Sequence, residues 1–515
     1  MSTGSLNAHR RERELSRLVD GERVDVLVVG GGVTGAGIAL DAAARGLSVA
    51  LVEAHDLAFG TSRWSSKLVH GGLRYLAKGE LGLAHESAVE RGILMTRTAP
   101  HLTRAMPQLF PLYPGTSAAQ QALIATGLRA GDGLRRAART PSSVLPGPRR
   151  IPAAEALALS PGLAPAGLRG ALLAYDGALV DDARLVVSIA RTAALLGARI
   201  LTHLSAVSLS GTEARVSDGS SSYTLHARQV INATGVWADT LTDSVQLRPS
   251  RGSHLVLAPD TVRVGATSVN IPVPGETNRF VFLLPQLDGR VYLGLTDEPV
   301  SGDVPDVPTV PESDVDFLLS TASSVLNRPL TAADVIGSYA GLRPLVSGSA
   351  GRSADLSRKH AVITGSDGVL TVVGGKLTTY RRMAEDAVDA ALTHAGLPAG
   401  PSRTSKLPLL GAAPRSRLSL VDAPARLVAK YGTEAPRVAA LGEVEPEFAA
   451  PLCASTEITA AEVVWAVRHE GATTVEDVLE RRTRLALVPA DAEAARERVA
   501  ELVEKTLAGL PGKPG

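Results

Sequence analysis

Residues 24–53 read VDVLVVGGGVTGAGIALDAAARGLSVALVE, and the fold follows from them. Val24 to Val29 is a short apolar run that suits a strand buried on both faces, and Gly30-Gly31-Gly32-Val33-Thr34-Gly35 follows without a gap. A helical stretch then runs to Arg45, Gly46 ends it, and a second strand from Ser48 to Val52 closes on Glu53. Each part has a task in binding a dinucleotide. Gly30 lets the backbone turn sharply, Gly32 lets a pyrophosphate approach the main chain, and Gly35 lets helix and strand pack closely. Free N–H groups at the helix start attract phosphate charge, and Glu53, 18 residues after Gly35, is placed to accept hydrogen bonds from a ribose. The glycine pattern alone is weak; flanked by strand, helix and acid, it outweighs an ordinary glycine-rich turn.

Glu53 favours an adenosine ribose without a 2′-phosphate but does not separate NAD from FAD. Two later segments do. Residues 228–239, RQVINATGVWAD, run from an apolar strand into Gly235 and a helix, a second place where strand carboxyl ends meet a dinucleotide. Residues 369–382, VLTVVGGKLTTYRR, repeat the theme: a strand, Gly374-Gly375, then a helix expected from about Lys376 to Ala395. A helix start carrying a lysine stabilises negative charge on the N1/C2 carbonyl edge of a reduced flavin, a need that nicotinamide lacks. The expected cofactor is therefore FAD. The expected fold class is α/β: a Rossmann-like FAD-binding domain with an inserted antiparallel-sheet substrate domain and a C-terminal helical domain.

A chain of 515 residues implies roughly two to four domains. With 53 Lys and Arg against 52 Asp and Glu, the net charge of +1 rules out a function resting on bulk electrostatics, and no nucleic-acid partner is expected. A composition of 45% hydrophobic and 20% charged residues supports a packed core. The single cysteine, Cys453, excludes an intrachain disulfide and a Cys-rich zinc cluster; no metal site is expected, and a reducing compartment fits. Residues 1–23 carry charges throughout without the apolar core of a signal peptide, so they read as an amino-terminal arm whose order the sequence leaves open. No run of about 18 apolar residues marks a membrane-spanning helix.

Residues 61–76, TSRWSSKLVHGGLRYL, resemble the signature of the FAD-dependent glycerol-3-phosphate dehydrogenases. Further pieces follow in that family's order: Arg251-Gly252-Ser253-His254, Gly294-Leu295-Thr296-Asp297, Tyr339-Ala340-Gly341-Leu342-Arg343-Pro344-Leu345, and Gly374-Gly375-Lys376-Leu377-Thr378-Thr379-Tyr380-Arg381. The resemblance is strong over residues 24–395 and continues as weaker helical similarity to 488. It implies oxidation of sn-glycerol 3-phosphate to dihydroxyacetone phosphate, with hydride transfer to flavin N5 and electrons passed to a membrane quinone. Residue roles come with it. Arg343 and Arg358 look like the cations that hold the phosphate, with Arg74 and Tyr75 close by, since a guanidinium offers paired donors and stays charged. His254 is the candidate proton acceptor because imidazole titrates near working pH, and Lys376 either shares that task or polarises the flavin. Thr296 keeps the second threonine of a Gly-Thr-Thr-Asp pattern that departs at Leu295, a position expected inside a strand. Thr61, Ser62, Ser66 and Lys67 suit FAD phosphates or ribityl hydroxyls, and Gly235, Gly375 and Thr378 complete the cofactor wall. His70 is expected to pack under the flavin.

Residues 24–396 are expected to hold the FAD-binding part with the substrate part inserted at roughly 100–180 and 245–345. A helix capped by Asp181, with Leu185, Val186, Ile189, Ala193 and Leu196 at helical spacing, and a hairpin around Asp218-Gly219 are expected to accompany the substrate sheet. Pro398, Pro401, Pro408 and Pro414 mark a linker at 397–416. Residues 417–515 then form a helical cap, with Thr459 to Glu462 and Thr473 to Glu476 as capping boxes and Arg481 and Arg482 as exposed helix charges. Between Gly127 and Arg150 six arginines follow the apolar run Ala122 to Leu128, a combination that suits an amphipathic helix lying on an anionic bilayer. With the resemblance, this points to peripheral attachment at the cytoplasmic face of the cell membrane. The oligomeric state is not legible, and a homodimer stays open. The same motifs fit an oxidase that passes electrons to oxygen, whereas an FAD-dependent amino or hydroxy acid oxidoreductase needs a carboxylate clamp instead of a phosphate one.

Overall fold

The computed structural model describes residues 3–76, 79–115, 117–276, 279–346 and 359–510, with the backbone alone for Leu73 and Arg74. Strand Val24–Val29 pairs in parallel with Val49–Val52 on one side and with the second half of Ser222–Asn232 on the other. Arg199–Leu201 and Leu370–Val373 extend the parallel sheet, and Ala361–Thr364 closes it with an antiparallel edge. Side chains alternate as strand geometry requires. Val26 and Val28 face helices Val33–Ala44, Asp182–Leu195 and Tyr380–Ala395, while Leu27 and Val29 face the opposite layer. Burial on both faces is why the strand reads as a nearly unbroken apolar run.

Asp181 caps the helix Asp182–Leu195 as expected, its carboxylate accepting from the Ala183 N–H at 3.0 Å. That helix and the hairpin of Glu213–Ser217 and Ser222–Asn232 do not accompany the substrate sheet, however. The helix packs on the Ala/Gly-rich Val33–Ala44, and the hairpin's second strand runs straight into the centre of the parallel sheet. Leu196 lies past the helix end and is exposed. The helix expected from Lys376 begins at Tyr380 instead, after a single tight turn, Leu377–Thr379.

A second sheet of ten strands draws on both inserted portions. Strands Thr103–Pro111 and Ala171–Leu179 come from the first; Leu247–Leu257, Ser268–Pro272, Phe280–Pro285, Val291–Gly294 and Val335–Val346 come from the second. It is antiparallel except where the portions meet, with Ser268 beside Gln108 in a parallel pair. No hairpin links those two strands, so turn geometry does not impose an antiparallel register. Leu295 follows the strand Val291–Gly294 rather than lying inside one.

Beyond the proline-rich stretch, helices Ala435–Val444, Ala460–His469 and Pro489–Ala508 build a separate core around Val463, Val464, Val478 and Val499, and Ala425–Tyr431 packs through Leu427 and Tyr431 in a smaller cluster with Trp465. The capping box at Thr459 and Glu462 is present. The second one is shifted by a residue: Thr474 pairs with Asp477, whose carboxylate accepts from the Thr474 N–H at 3.0 Å and whose N–H donates to Thr474 Oγ1 at 3.1 Å. Arg481 and Arg482 are buried rather than exposed, and both donate to Asp56 in the loop after the second strand. The amino-terminal arm, left open by its charge pattern, contains a helix, Ala8–Val19. Arginine stems bury there because their forks reach backbone carbonyls: Arg10 donates to Ala194 O at 3.1 Å and Arg11 to Thr202 O at 2.6 Å.

Candidate functional site

A cavity of about 1990 Å³ lies between the carboxyl ends of the parallel strands and one face of the second sheet. Small-molecule pockets span roughly 300–1,000 Å³, so there is room for a dinucleotide and a substrate together.

At one end the fingerprint residues assemble. Gly30 turns the chain at φ +110°, and Gly35 lies so close under it that a Cβ there would come within 1.8 Å of the Gly30 carbonyl oxygen. Gly32 starts the helix with no side-chain cap, while Ser62 Oγ accepts from the Val33 N–H at 2.9 Å. Glu53 is fixed by the main chain, Oε1 accepting from the His55 N–H at 2.9 Å and Oε2 from Gly31 N–H, and burial raises its pKa. Thr61 lines the cavity and donates to Leu342 O at 2.6 Å. Gly235, Gly375 and Thr378 line it further along. A helix start opened by glycine, a carboxylate lining the cavity at the end of the second strand and a cavity long enough for both nucleotide halves fit FAD, and these residues would hold it.

Lys67 does not. Its ammonium turns away from the cavity and donates to Asp182 Oδ2 at 3.0 Å and to the carbonyls of Arg63 and Ser65 at 3.2 and 3.1 Å. The reason is local: Asp182 is fully buried at a helix start and takes the nearest cation. The same Asp182 oxygen accepts from Ser65 Oγ and N, so the pair fixes the loop that carries Ser66.

Ser66 Oγ meets His254 Nε2 at 2.8 Å, the pivot of the chemical end. His254 stands on strand Leu247–Leu257 opposite Gly294, where a Cβ would be 2.3 Å from the imidazole Cδ2; only glycine there leaves room for the ring. Tyr339 stacks on the other face with centroids 4.7 Å apart and donates to Ser65 O at 3.2 Å. Burial, with Lys67 and Arg343 nearby, pushes the His254 pKa down to about 3, so the ring is neutral at working pH. Arg343 Nη1 donates to Asp297 Oδ1 at 3.0 Å and to Ser250 Oγ at 3.3 Å, and Nη2 donates to Thr296 O at 3.2 Å. Its fork packs over Gly252, where a Cβ would lie 2.4 Å from Nη2. Thr296 is itself held between the Ser253 N–H and Asp314 Oδ2. Lys376 lines the cavity with its ammonium 3.8 Å from the Tyr75 ring centroid, which brings two of the expected residues together. His70 Nδ1 contacts Asp176 Oδ2 at 3.2 Å on the cavity wall. Arg358 and the Arg74 side chain lie outside the described residues.

Sequence reading passed over Asp182 and Asp314, whose roles depend on partners more than fifteen positions away; Tyr339 and Asp297 were visible in their motifs but had no partner to give them meaning.

His101, like His254, is buried and neutral, with a pKa pushed down to about 3 by burial and by Arg184. Above pH 6.5 neither the folded nor the unfolded chain protonates these rings. From 6.5 down towards 3 the unfolded chain takes up protons that the folded rings refuse, so stability falls with acidification by up to roughly 1.4 kcal/mol per pH unit for each. Urea midpoints at pH 7.5 and 5 should show the loss, and His101→Leu should reduce the slope; equal midpoints would mean the rings are protonated when folded.

A family model described as FAD dependent oxidoreductase matches residues 25–381, and one described as the C-terminal domain of alpha-glycerophosphate oxidase matches residues 402–508. The chain is 53% identical over 517 residues to glycerol-3-phosphate dehydrogenase 1 of Mycobacterium tuberculosis, covering 98% of this chain and 99% of that one. The structure of the glycerol-3-phosphate dehydrogenase from Bacillus halodurans complexed with FAD matches with a TM-score of 0.72 at 27% identity, over 99% of this chain and 97% of that one. An L-alpha-glycerophosphate oxidase from Mycoplasma pneumoniae shares the fold at a TM-score of 0.58 and 18% identity, over 75% of this chain and 99% of that one.

Proposed function

Because the chain belongs to the FAD-dependent glycerol-3-phosphate dehydrogenase family, with FAD as its cofactor, we propose that it oxidises sn-glycerol 3-phosphate to dihydroxyacetone phosphate and passes the electrons to a membrane quinone. One observation carries the substrate assignment. The Arg343 fork packs over Gly252, two residues from His254 on the same strand face, which is about 7 Å at strand rise. A three-carbon phosphate bridges that span with its C2 hydroxyl at the imidazole and its phosphate at the guanidinium.

FAD, when bound, supplies the hydride acceptor. The rest is the work of this chain's residues. Arg343, oriented by Asp297, Ser250 and Thr296, holds the phosphate, with Arg358 and Arg74 as its proposed companions. His254, neutral, hydrogen-bonded at its edge to Ser66 and stacked on Tyr339, takes the hydroxyl proton as the C2 hydride leaves. Lys376, positioned over Tyr75, places positive charge on the same cavity wall. Closing the site against water falls to the second sheet, and residues 417–510 brace the loop that carries Ser66.

The acceptor and membrane readings rest on the helix Ala118–Ala137. Ile124 and Leu128 line the cavity, while Leu123, Arg129 and Arg136 are exposed, so an apolar edge and a basic rim meet at the cavity mouth. Such a face suits an anionic bilayer at the cytoplasmic side. No helix of the described residues is long and apolar enough to cross a membrane.

Stopped-flow mixing of the purified holoenzyme with sn-glycerol 3-phosphate, without oxygen, should bleach the oxidised-flavin absorption; glycerol and sarcosine should not. His254→Gln should slow that bleaching by about 10²–10⁴-fold with FAD retained. Reoxidation should be faster with a long-chain quinone in anionic vesicles than with the same quinone in neutral vesicles or with air. Flavin that stays oxidised with the phosphate substrate removes the proposal, and air as the best oxidant replaces the quinone with oxygen.

A further inference from the structure

Two of the acceptors that aim the Arg343 fork sit on a piece of chain that no strand holds. Residues 295–297 fall between strands Val291–Gly294 and Glu298–Pro299, yet the Thr296 carbonyl accepts from Arg343 Nη2 and the Asp297 carboxylate from Nη1. The anchor of this segment lies on the other side of the second sheet. Along Leu247–Leu257, Gly252 and His254 face the cavity, so Arg251 and Ser253 alternate to the far face. Helix Glu312–Ser323 covers that far face, with Leu318, Leu319 and Ala322 in one apolar cluster with Leu255 and Leu257.

Asp314, in the first turn of that helix, is 4% exposed, and three side chains converge on it. Its Oδ2 accepts from Ser253 Oγ at 2.5 Å, Arg251 Nε at 3.0 Å and Thr296 Oγ1 at 3.1 Å, and its Oδ1 accepts from Arg251 Nη2 at 3.3 Å. Thr296 Oγ1 in turn accepts from the Ser253 N–H at 3.0 Å. The threonine hydroxyl is thereby committed to the far face, while the carbonyl of the same residue meets Arg343. A carboxylate taken out of water is costly unless its oxygens are satisfied, and the exposed Glu312 of the same turn already serves the helix dipole, so that role leaves the burial of Asp314 unexplained. We propose that Asp314 is a positioning residue for the reaction: through Thr296 it fixes residues 295–297, and so presents the Arg343 fork to the substrate phosphate already oriented. Asp314 touches neither substrate nor cofactor and acts only through Thr296 and Arg343.

The proposal rests on Arg343 holding the phosphate, so the test is a double-mutant cycle on the holoenzyme, with kcat/KM for sn-glycerol 3-phosphate, FAD content and urea midpoint measured for each member. Asp314→Asn keeps the shape and removes the charge; it should lower kcat/KM by roughly ten- to a hundredfold, the effect of a misplaced binding group. In an Arg343→Ala background the same change should cost no more than about twofold, because the fork it aims is gone. A carboxylate that only supports the fold would cost the same in both backgrounds, and that result, or parental kcat/KM in Asp314→Asn, overturns the proposal while leaving the phosphate reading intact. If Asp314→Asn does not fold or loses FAD, Thr296→Val decides: it breaks the same link from the other end at nearly constant volume, and the same dependence on Arg343 is expected. An equal Thr296→Val loss in both backgrounds, or none in either, overturns the inference. Arg343→Ala at parental kcat/KM overturns the phosphate reading, and the positioning role with it.

Discussion

Replacing Arg343 with alanine should lower kcat/KM for sn-glycerol 3-phosphate by about a thousandfold while FAD stays bound, because truncating one member of a desolvated charge pair costs roughly 2–5 kcal/mol. The guanidinium is oriented before substrate arrives by Asp297, Ser250 and Thr296, so little ordering remains to oppose binding. Alanine removes more than a cation. Asp297, mostly buried beside the cavity, loses the guanidinium at 3.0 Å, keeps Ser250, and then repels the phosphate dianion without a cation between them. Both KM and kcat should change, since a substrate held only at its hydroxyl no longer keeps C2 in line. Arg343→Lys should fall between, because it keeps the charge and loses the fork. Steady-state kinetics with the FAD content of each variant measured alongside checks this. A variant at parental kcat/KM would place the phosphate elsewhere.

What the sequence revealed and what it hid divide along chain distance. Strand, turn, helix and acid in residues 24–53 are encoded by neighbours, so the dinucleotide end was legible residue by residue. Family motifs then marked His254, Arg343, Thr296 and Lys376, and the structure brings all four to one cavity. Lys67 sat in the same motif, yet its partner is Asp182, 115 positions away, and no local pattern reveals that a buried carboxylate will claim it. Arg481 and Arg482 misled for the same reason. Charged residues on a helix normally face water, and only tertiary packing brings Asp56 to them. The displaced capping box at Thr474 and Asp477 differs. Thr473 and Thr474 offered adjacent registers, and Asp477 was drawn to the buried arginines, where Arg481 Nη2 donates to its Oδ1 at 2.7 Å, so packing selected between two locally equal choices.

Asp56→Ala should destabilise the protein by about 3–5 kcal/mol, because it removes the buried carboxylate that two guanidiniums share and leaves Arg481 to Asp477 and Glu480 and Arg482 to the Glu470 carbonyl. Asp56 is fully buried and accepts from Arg481 Nε at 2.7 Å and from Arg482 Nη1 and Nη2 at 2.7 and 2.8 Å. Both arginines belong to the carboxyl-terminal helices, while Asp56 lies three residues after Glu53, so the cluster joins that unit to the loop after the second strand. The urea midpoint should fall and FAD should dissociate more readily, as fluorescence of released flavin would show. Asp56→Asn should be nearly as damaging, since its amide turns donors towards donors. Steric loss and unpaired charge are separable: Asp56→Leu combined with Arg482→Met removes one charge of each sign and leaves Arg481 paired with Asp477 and Glu480, so it should recover part of the stability. If the double variant is no more stable than Asp56→Ala, the cluster acts through shape, and the remaining contacts, Arg63 with Glu480 and Arg184 with Glu470, carry the electrostatic part of the junction.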